Sequence, residues 1–100
     1  MTNSENKEQL PLQMQGETLQ FPVTYRLKAV MTTGQSDAEN RKQLSHVFET
    51  LKIGYLYHGT NRSRKGSYVS FTYEITLNSK ETMDQLYVLL KEIENLKFAL

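Results

Sequence analysis

A strict alternation of apolar and polar side chains runs from Ser67 to Leu77, and it constrains the fold more than any other feature of the chain. The residues of one parity are large and apolar, namely Val69, Phe71, Tyr73, Ile75 and Leu77. A period of two is the mark of a half-buried β-strand. A basic turn with a glycine at 62–66 precedes this segment, and an Asn78-Ser79 helix start follows it. The sequence therefore predicts a long strand that leaves a hairpin and leads into a helix.

A second alternating segment begins at Phe21 and continues to Met31, with Pro22 near its start, where a strand tolerates proline. After it, Ser36 and Glu39 have the spacing of a capping box, which predicts the beginning of a helix. The apolar stripe of that helix is Leu44, Val47, Phe48 and Leu51. Gly54 stands where a C-terminal cap is expected.

The remaining elements have weaker patterns. The tyrosine-rich segment 55–61 predicts an edge strand, in which the inward-facing residues stay undecided between Leu56 and the tyrosines Tyr55 and Tyr57. A second helix starts at Asn78 or Ser79, and a short last strand follows. The apolar stripe of the helix is Met83, Leu86, Tyr87, Leu90 and Ile93, and the strand contributes Leu96, Phe98 and Leu100.

The resulting order, strand-helix-strand-strand-helix-strand, predicts an α+β fold. It is a ferredoxin-like βαββαβ sandwich, in which two helices cover one face of a four-stranded antiparallel sheet. The first and third strands should be central, because they are the longest and most regular. The uncovered face would be polar, with Thr24, Arg26, Lys28, Tyr68, Ser70, Thr72, Glu74 and Thr76.

Composition sets the domain organisation and excludes several classes of protein. Residues 1–19 have no apolar period and predict a flexible tail, which leaves one domain at 20–100. That domain holds eleven basic and eight acidic residues, a net charge of +3. There is no signal-peptide pattern and no long apolar run, so we expect a cytoplasmic protein with no membrane contact.

The chemistry-bearing residues do not assemble into an enzyme site. With no cysteine, thiolate metal sites and thiol nucleophiles are excluded. His46 and His58 are scattered, and Ser45 beside His46 diverges from it on a helix by about 100°. We therefore expect no catalytic residues, no metal site and no cofactor.

From Phe21 onward the chain resembles the YbeD-like family of small bacterial proteins of unknown function. The resemblance is carried by Phe21-Pro22, by Lys65-Gly66-Ser67-Tyr68-Val69-Ser70, and by Leu86-Tyr87 followed by Leu90. Two positions depart from the family pattern: Thr32 replaces a glycine after the first strand, and Val69 replaces a frequent histidine. The resemblance implies a ferredoxin-like fold close to the ACT regulatory domains, and it brings no established catalytic or ligand residues.

ACT-like domains bind small ligands near the loop between the first strand and the first helix, and the resemblance directs attention to Thr33, Gly34 and Ser36 in this chain. Free amides at a helix N-terminus suit a carboxylate or phosphate. The alternative is that Gly34 only forms the turn and Ser36 only caps the helix. ACT-like sheets also form dimers side by side, and an outward-facing Val88 together with the uncovered sheet face would allow a homodimer here.

A second candidate surface is cationic. Arg62, Arg64 and Lys65 of the hairpin, with Arg26 and Lys28 of the uncovered face, could bind an anion or a nucleic acid beside Tyr68. An RNA-recognition motif has the same element order, but Ser67 stands where its first stacking aromatic should be. The alternative is a solvated hairpin whose charges prevent edge pairing. Nucleic acid is permitted by this pattern without being required.

The sequence thus predicts a small regulatory or interaction module that binds a small molecule or a protein partner, with an RNA-associated protein as the alternative. The identity of the ligand or partner and the oligomeric state are not determined by the sequence.

Overall fold

The computed structural model describes residues 19–100, so nearly all of the predicted tail lies outside the described residues. Leu19, the first of them, is partly buried against the core. Four strands and two helices follow in the predicted order: β1 (Val23–Thr32), α1 (Asp37–Thr50), β2 (Gly54–Arg62), β3 (Tyr68–Leu77), α2 (Lys80–Lys91) and β4 (Leu96–Ala99).

The four strands form one antiparallel sheet in the order β2-β3-β1-β4. The two regular strands pair along their whole length, with Val23 opposite Leu77 and Thr32 opposite Tyr68. This arrangement confirms the ferredoxin-like βαββαβ fold and the central position of the first and third strands. The long alternating segments are central because a strand with two neighbours must bury one whole face.

The core lies between the sheet and the two helices. Its centre consists of side chains with no measurable exposure from both central strands and both helices, among them Leu27, Met31, Phe71, Ile75, Leu44, Phe48 and Leu86. These are the inward parity of the strands and the apolar stripes of the helices. The periodicities in the sequence therefore report the layer contacts directly.

Helix α1 begins as the sequence predicts and ends differently. The Glu39 amide donates to Ser36 Oγ over 3.1 Å, and the Ser36 amide donates to Glu39 Oε1 over 3.4 Å, which completes the capping box. Gly54 is not the C-terminal cap, because it is the first residue of β2. The left-handed position belongs to Lys52, with φ of 58°.

The end of α1 is a Schellman motif built around Lys52. The Ile53 amide donates to the Phe48 carbonyl over 2.8 Å, and the Lys52 amide donates to the Glu49 carbonyl over 3.2 Å. A glycine usually occupies the left-handed position of this motif. Here Ile53 is buried, and this anchors the turn two residues earlier than Gly54.

Helix α2 begins at one of the two predicted caps. The Ser79 side chain accepts a hydrogen bond from the Thr82 amide over 3.1 Å, so Ser79 and not Asn78 is the N-cap. Among residues 19–100, no helix is both long and apolar enough to cross a membrane.

Candidate functional site

A β-bulge in β2 decides which side chains face which side of the sheet. Tyr57 lies opposite Tyr73 and Gly59 lies opposite Thr72, so His58 is an extra residue in the strand. Before the bulge, Tyr55 and Tyr57 face the helical layer. After it, the parity is reversed, and Arg62 lies opposite the inward-facing Val69.

The bulge separates the predicted cationic residues. Arg62 faces the helical side and forms an ion pair with Asp37 at the start of α1, with Nη2 and Oδ1 2.8 Å apart. Arg26 and Lys28 are exposed on the opposite side of the sheet. The five predicted basic residues therefore do not form one continuous strip.

Arg64 and Lys65 are exposed in the hairpin turn, where the Gly66 amide donates to the Ser63 carbonyl over 3.0 Å. Gly66 has φ of 78°, a left-handed conformation that favours glycine. The glycine of the Lys65–Ser70 stretch, one of the segments that carry the family resemblance, is thus explained by the backbone of this turn.

The first loop is tied to the hairpin by one of the predicted ligand residues. The Thr33 hydroxyl donates to the Gly66 carbonyl over 2.9 Å, and the Ser36 hydroxyl caps α1. Gly34 is exposed, and a side chain placed there would meet nothing within 4 Å. Two of the three predicted ligand residues therefore already make bonds within the protein, and two carboxylates, Asp37 and Glu39, occupy the first turn of α1.

Below this loop lies a set of carboxamides that we call the amide network: the side chains of Gln35, Asn40, Gln43 and Asn95 around the Thr32 carbonyl. Asn40 is fully buried; its Nδ2 donates to the Thr32 carbonyl over 3.2 Å, and its Oδ1 accepts from Asn95 Nδ2 over 2.8 Å. Gln43 Nε2 donates to Asn95 Oδ1 over 3.1 Å. The network fastens the end of β1 to α1 and to the segment before β4.

The uncovered side of the sheet, which we call the open face, carries the polar residues predicted for it and additional apolar ones. One row across the strands consists of Leu56, Glu74 and Arg26, in that order. Another consists of Phe98, Val30 and Ser70. Ser70 is only 7% exposed, and its hydroxyl donates to the Asn61 carbonyl over 3.4 Å. The centre of the open face is therefore partly closed to solvent.

Four large apolar or aromatic side chains are exposed on the open face. They are Leu56 at 60%, Phe98 at 48%, Leu100 at 42% and Tyr68 at 40%. Outside this face, residues 19–100 expose two others, Tyr55 on the helical side of β2 and Val88 on α2. Four of the six large hydrophobic groups that residues 19–100 expose therefore lie on one side of the sheet, spread from β2 to β4 among polar residues.

One titratable pair lies on the open face. His58, directed there by the bulge, approaches Glu74 with Nε2 and Oε1 3.5 Å apart, and Arg26 lies opposite Glu74 on β1. Within residues 19–100, no three side chains of His, Asp or Glu gather in a way that could hold a metal ion. Glu74 places a carboxylate on the open face, between His58 and Arg26.

A second polar pair is buried under α2. The Tyr25 and Tyr87 hydroxyl oxygens lie 2.6 Å apart in a hydrogen bond. Burial raises the pKa of Tyr87 to about 12, and burial together with the nearby Tyr87 raises the pKa of Tyr25. Both hydroxyls stay protonated at neutral pH and serve to satisfy each other inside the core.

Comparison with known proteins places the chain in a family. The sequence pattern of the DUF493 family, described as a protein of unknown function, matches residues 16–100. The chain belongs to the DUF493 family. It is 32% identical over 81 residues to a UPF0250 protein of Shewanella piezotolerans (strain WP3 / JCM 13877), covering 81% of this chain and 89% of the relative. These findings confirm the predicted relation to YbeD-like bacterial proteins of unknown function.

A solved structure from H. pylori supports the fold of this DUF493 protein. The solution structure of protein HP0495 from H. pylori superposes with a TM-score of 0.63 at 15% identity, covering 91% of this chain and 94% of that one. A de novo designed protein, Ferredog-Diesel, gives a TM-score of 0.42 at 23% identity, with coverage of 76% and 79%. The H. pylori structure supports the fold, and neither one assigns an activity to this DUF493 chain.

Sequence reasoning missed two features of these surfaces. The amide network has no sequence signature, since Asn40 and Asn95 lie in different elements and read as solvated residues. Phe98 and Leu100 have the period of a strand, but Ala99 of the opposite parity faces the core and is 7% exposed. In the sequence, the one indication that Ala99 faces the core is its small size between two large apolar residues.

Proposed function

We propose that this DUF493 domain is a non-enzymatic interaction module that binds a protein partner on its open face. The single observation that carries the proposal is that four of the six large hydrophobic side chains exposed in residues 19–100 lie on this face, namely Leu56, Tyr68, Phe98 and Leu100. Binding of a partner that removes these apolar side chains from water is favourable in free energy.

The charges on the open face indicate the chemistry of the partner. Arg26 and Lys28 project beside the apolar side chains, and Lys28 exchanges two backbone hydrogen bonds of 2.9 Å with Leu100. The carboxylate of Glu74 lies next to His58. A protein segment with apolar residues flanked by carboxylates complements this surface.

Protein is favoured over RNA by the spacing of the aromatic groups. Tyr68 on β3 and Phe98 on β4 are separated by β1, so strand spacing alone puts them about 10 Å apart. Two consecutive bases would need aromatic side chains closer together than this for both to stack. The aliphatic side chains of Leu56 and Leu100 provide no aromatic surface for stacking. The ion pair of Arg62 with Asp37 also withdraws one cation from this face.

Site-specific photo-crosslinking in the native host tests the proposal. A photoreactive side chain replaces Thr72, at the centre of the open face, or Gln85, exposed on α2. We expect protein adducts from position 72 that are at least severalfold more abundant than those from position 85. Equal yields would contradict the proposal; adducts that contain only RNA, or only a second copy of the chain, would replace the protein partner with that occupant.

Matched variants sharpen this test. Leu56→Ser and Val88→Ser remove side chains of nearly equal exposure, 60% and 56%, from the open face and from α2. Lys28→Glu and Lys91→Glu reverse an exposed charge on the same two surfaces. The adduct yield at position 72 should fall only in the two open-face variants, and an equal loss in the α2 variants would contradict the proposal.

A further inference from the structure

A recess on the helical side of the sheet combines two cations with two aromatic rings. It lies between α1 and the edge strand β2, has a volume of about 370 Å³, and is lined by Ala38, Arg41, Lys42, Ser45, Tyr55 and Tyr73. It is remote from the open face, because Tyr55 and Tyr73 point to the opposite side of the sheet. A volume above about 300 Å³ is enough for a small organic ligand.

Two contacts hold the Arg41 guanidinium in place. Its Cζ lies 3.5 Å from the centroid of the Tyr57 ring, and its Nε donates to the Tyr73 hydroxyl over 3.3 Å. The hydrogen bond with Tyr73 raises the pKa of Arg41. Within residues 19–100, the two terminal nitrogens make no hydrogen bond, and no carboxylate lies within 4.0 Å of them. The guanidinium therefore presents an oriented fork of donors, the geometry that binds carboxylates and phosphates.

The aromatic wall of the recess is equally well supported. The Tyr55 ring packs 5.1 Å from Phe48 and 5.9 Å from Tyr73, measured between ring centroids. The Tyr55 hydroxyl donates to Glu49 Oε2 over 2.6 Å, which fixes the ring at its outer end. Tyr55 as a whole is 37% exposed, so part of its surface remains accessible to a ligand.

The charges around the recess favour an anion. Lys42, next to Arg41 on α1, forms no ion pair within the described part of the chain. Three carboxylates of α1 already make contacts of their own: Asp37 pairs with Arg62, Glu39 accepts from the Ser36 amide, and Glu49 accepts from the Tyr55 hydroxyl. A bound anion would thus meet two cations without displacing an existing ion pair.

We propose that this recess binds a small aromatic anion, a flat ring that carries a carboxylate or a phosphate. The acid group accepts hydrogen bonds from the terminal nitrogens of Arg41 beside Lys42, and the ring packs on Tyr55. This site is separate from the open face and does not depend on the protein partner proposed above.

Titration of the isotope-labelled chain by NMR tests the site. The probes are phenyl phosphate, benzoate, inorganic phosphate and benzyl alcohol, with the amides of 38–45 and 54–57 as reporters. We expect saturable shifts with the two aromatic anions and none with the alcohol. Inorganic phosphate should bind at least about tenfold more weakly, since it lacks a ring to cover Tyr55.

Charge variants locate the binding. Arg41→Gln should weaken phenyl phosphate binding by about tenfold or more, since one charge-assisted fork is lost. Arg64→Gln removes the same charge from the exposed hairpin and should leave binding unchanged. Lys42→Gln should weaken binding by about threefold. It provides a second measurement if Arg41→Gln does not fold, because within the described residues the Lys42 side chain forms no ion pair.

Three results would overturn the proposal. The first is no saturable shift at millimolar phenyl phosphate, and the second is an equal effect of Arg41→Gln and Arg64→Gln. The third is equal affinity for phenyl phosphate and inorganic phosphate, which would show that Tyr55 has no part in binding. Each can occur whether or not a protein binds the open face, so the two proposals fail separately.

Discussion

Replacement of Asn40 by alanine tests how much the amide network contributes to stability. Asn40 has no exposed surface, and its carboxamide makes hydrogen bonds of 3.2 Å to the Thr32 carbonyl, 2.8 Å from Asn95 Nδ2 and 3.5 Å from Gln43 Nε2. Removal of one partner leaves a buried polar group unpaired, at a cost of about 1–3 kcal/mol for each group. Asn95 is partly exposed and can recover some of its share from water.

We therefore expect Asn40→Ala to lower the free energy of unfolding by about 2–4 kcal/mol. For a domain of this size, such a loss lowers the melting temperature by about 10–25 °C. Urea denaturation followed by circular dichroism measures it, with an unchanged dependence on urea as the sign that both states keep their compactness. The matched control is Asn78→Ala, which truncates an exposed asparagine and should change stability by less than about 0.5 kcal/mol.

Replacement of Asn40 by aspartate refines the same test. Asn40→Asp keeps the acceptor for Asn95 but places an oxygen against the Thr32 carbonyl, where only a protonated carboxyl can donate. The folded-state pKa of that carboxyl should rise above its unfolded value of about 3.9. The stability of the Asn40→Asp variant relative to the native protein should then be highest below pH about 3.9. It should decline as the pH rises through the folded-state pKa.

The combination of Asn40→Ala with Asn95→Ala should cost less than the sum of the single losses, because the second change removes a group that the first left unpaired. If Asn40→Ala cost no more than Asn78→Ala, the network would not contribute to stability as expected. Strict additivity of the two network variants would contradict the coupling between Asn40 and Asn95.

Three other perturbations follow from the fold. Lys52→Gly should raise the free energy of unfolding by about 0.5–1 kcal/mol, because glycine adopts the left-handed conformation without strain; a loss of stability in urea denaturation would contradict this. Thr33→Val should cost about 1 kcal/mol and increase hydrogen exchange around Gly66, whereas unchanged exchange there would show that the loop does not support the hairpin. The pKa of Tyr87 is raised to about 12 from an unfolded value of about 10, so stability from the Tyr25–Tyr87 pair should be complete below pH about 10 and decline toward pH 12. Urea denaturation at both ends of that range, with a double phenylalanine variant as the control, should show a smaller decline in the variant.

The elements were predictable where a single periodicity controls them. The alternation over Ser67–Leu77 predicts one solvent-exposed and one buried side of a strand, independently of the rest of the chain. The capping box of Ser36 and Glu39 is likewise a local interaction. The misplaced end of α1 shows the limit of local rules. Gly54 is the better residue for a left-handed cap, but burial of Ile53 moved that conformation to Lys52.

The candidate surfaces were predictable only in part, because they depend on which side of the sheet a residue faces. An extra residue in β2 reverses parity, so Arg62 leaves the predicted cationic group and pairs with Asp37. The isolated Gly59 in the segment is a sequence signal for a bulge, but it does not tell which residue will be the extra one. The same reversal brings His58 to Glu74 across 3.5 Å.

By itself the sequence determined the number, order and kind of elements, the inward side of the two central strands, and membership of a bacterial family of unknown function. The elements and their inward sides follow from local periodicity and capping, which act over a few residues, whereas the family membership follows from the match of residues 16–100 to the family pattern. The tertiary structure alone decided that Asn40 would meet Asn95, that Arg41 would lie over Tyr57, and that four large hydrophobic side chains would share the open face. These contacts join residues far apart in the chain, so they depend on strand register and bulges that no local pattern fully encodes.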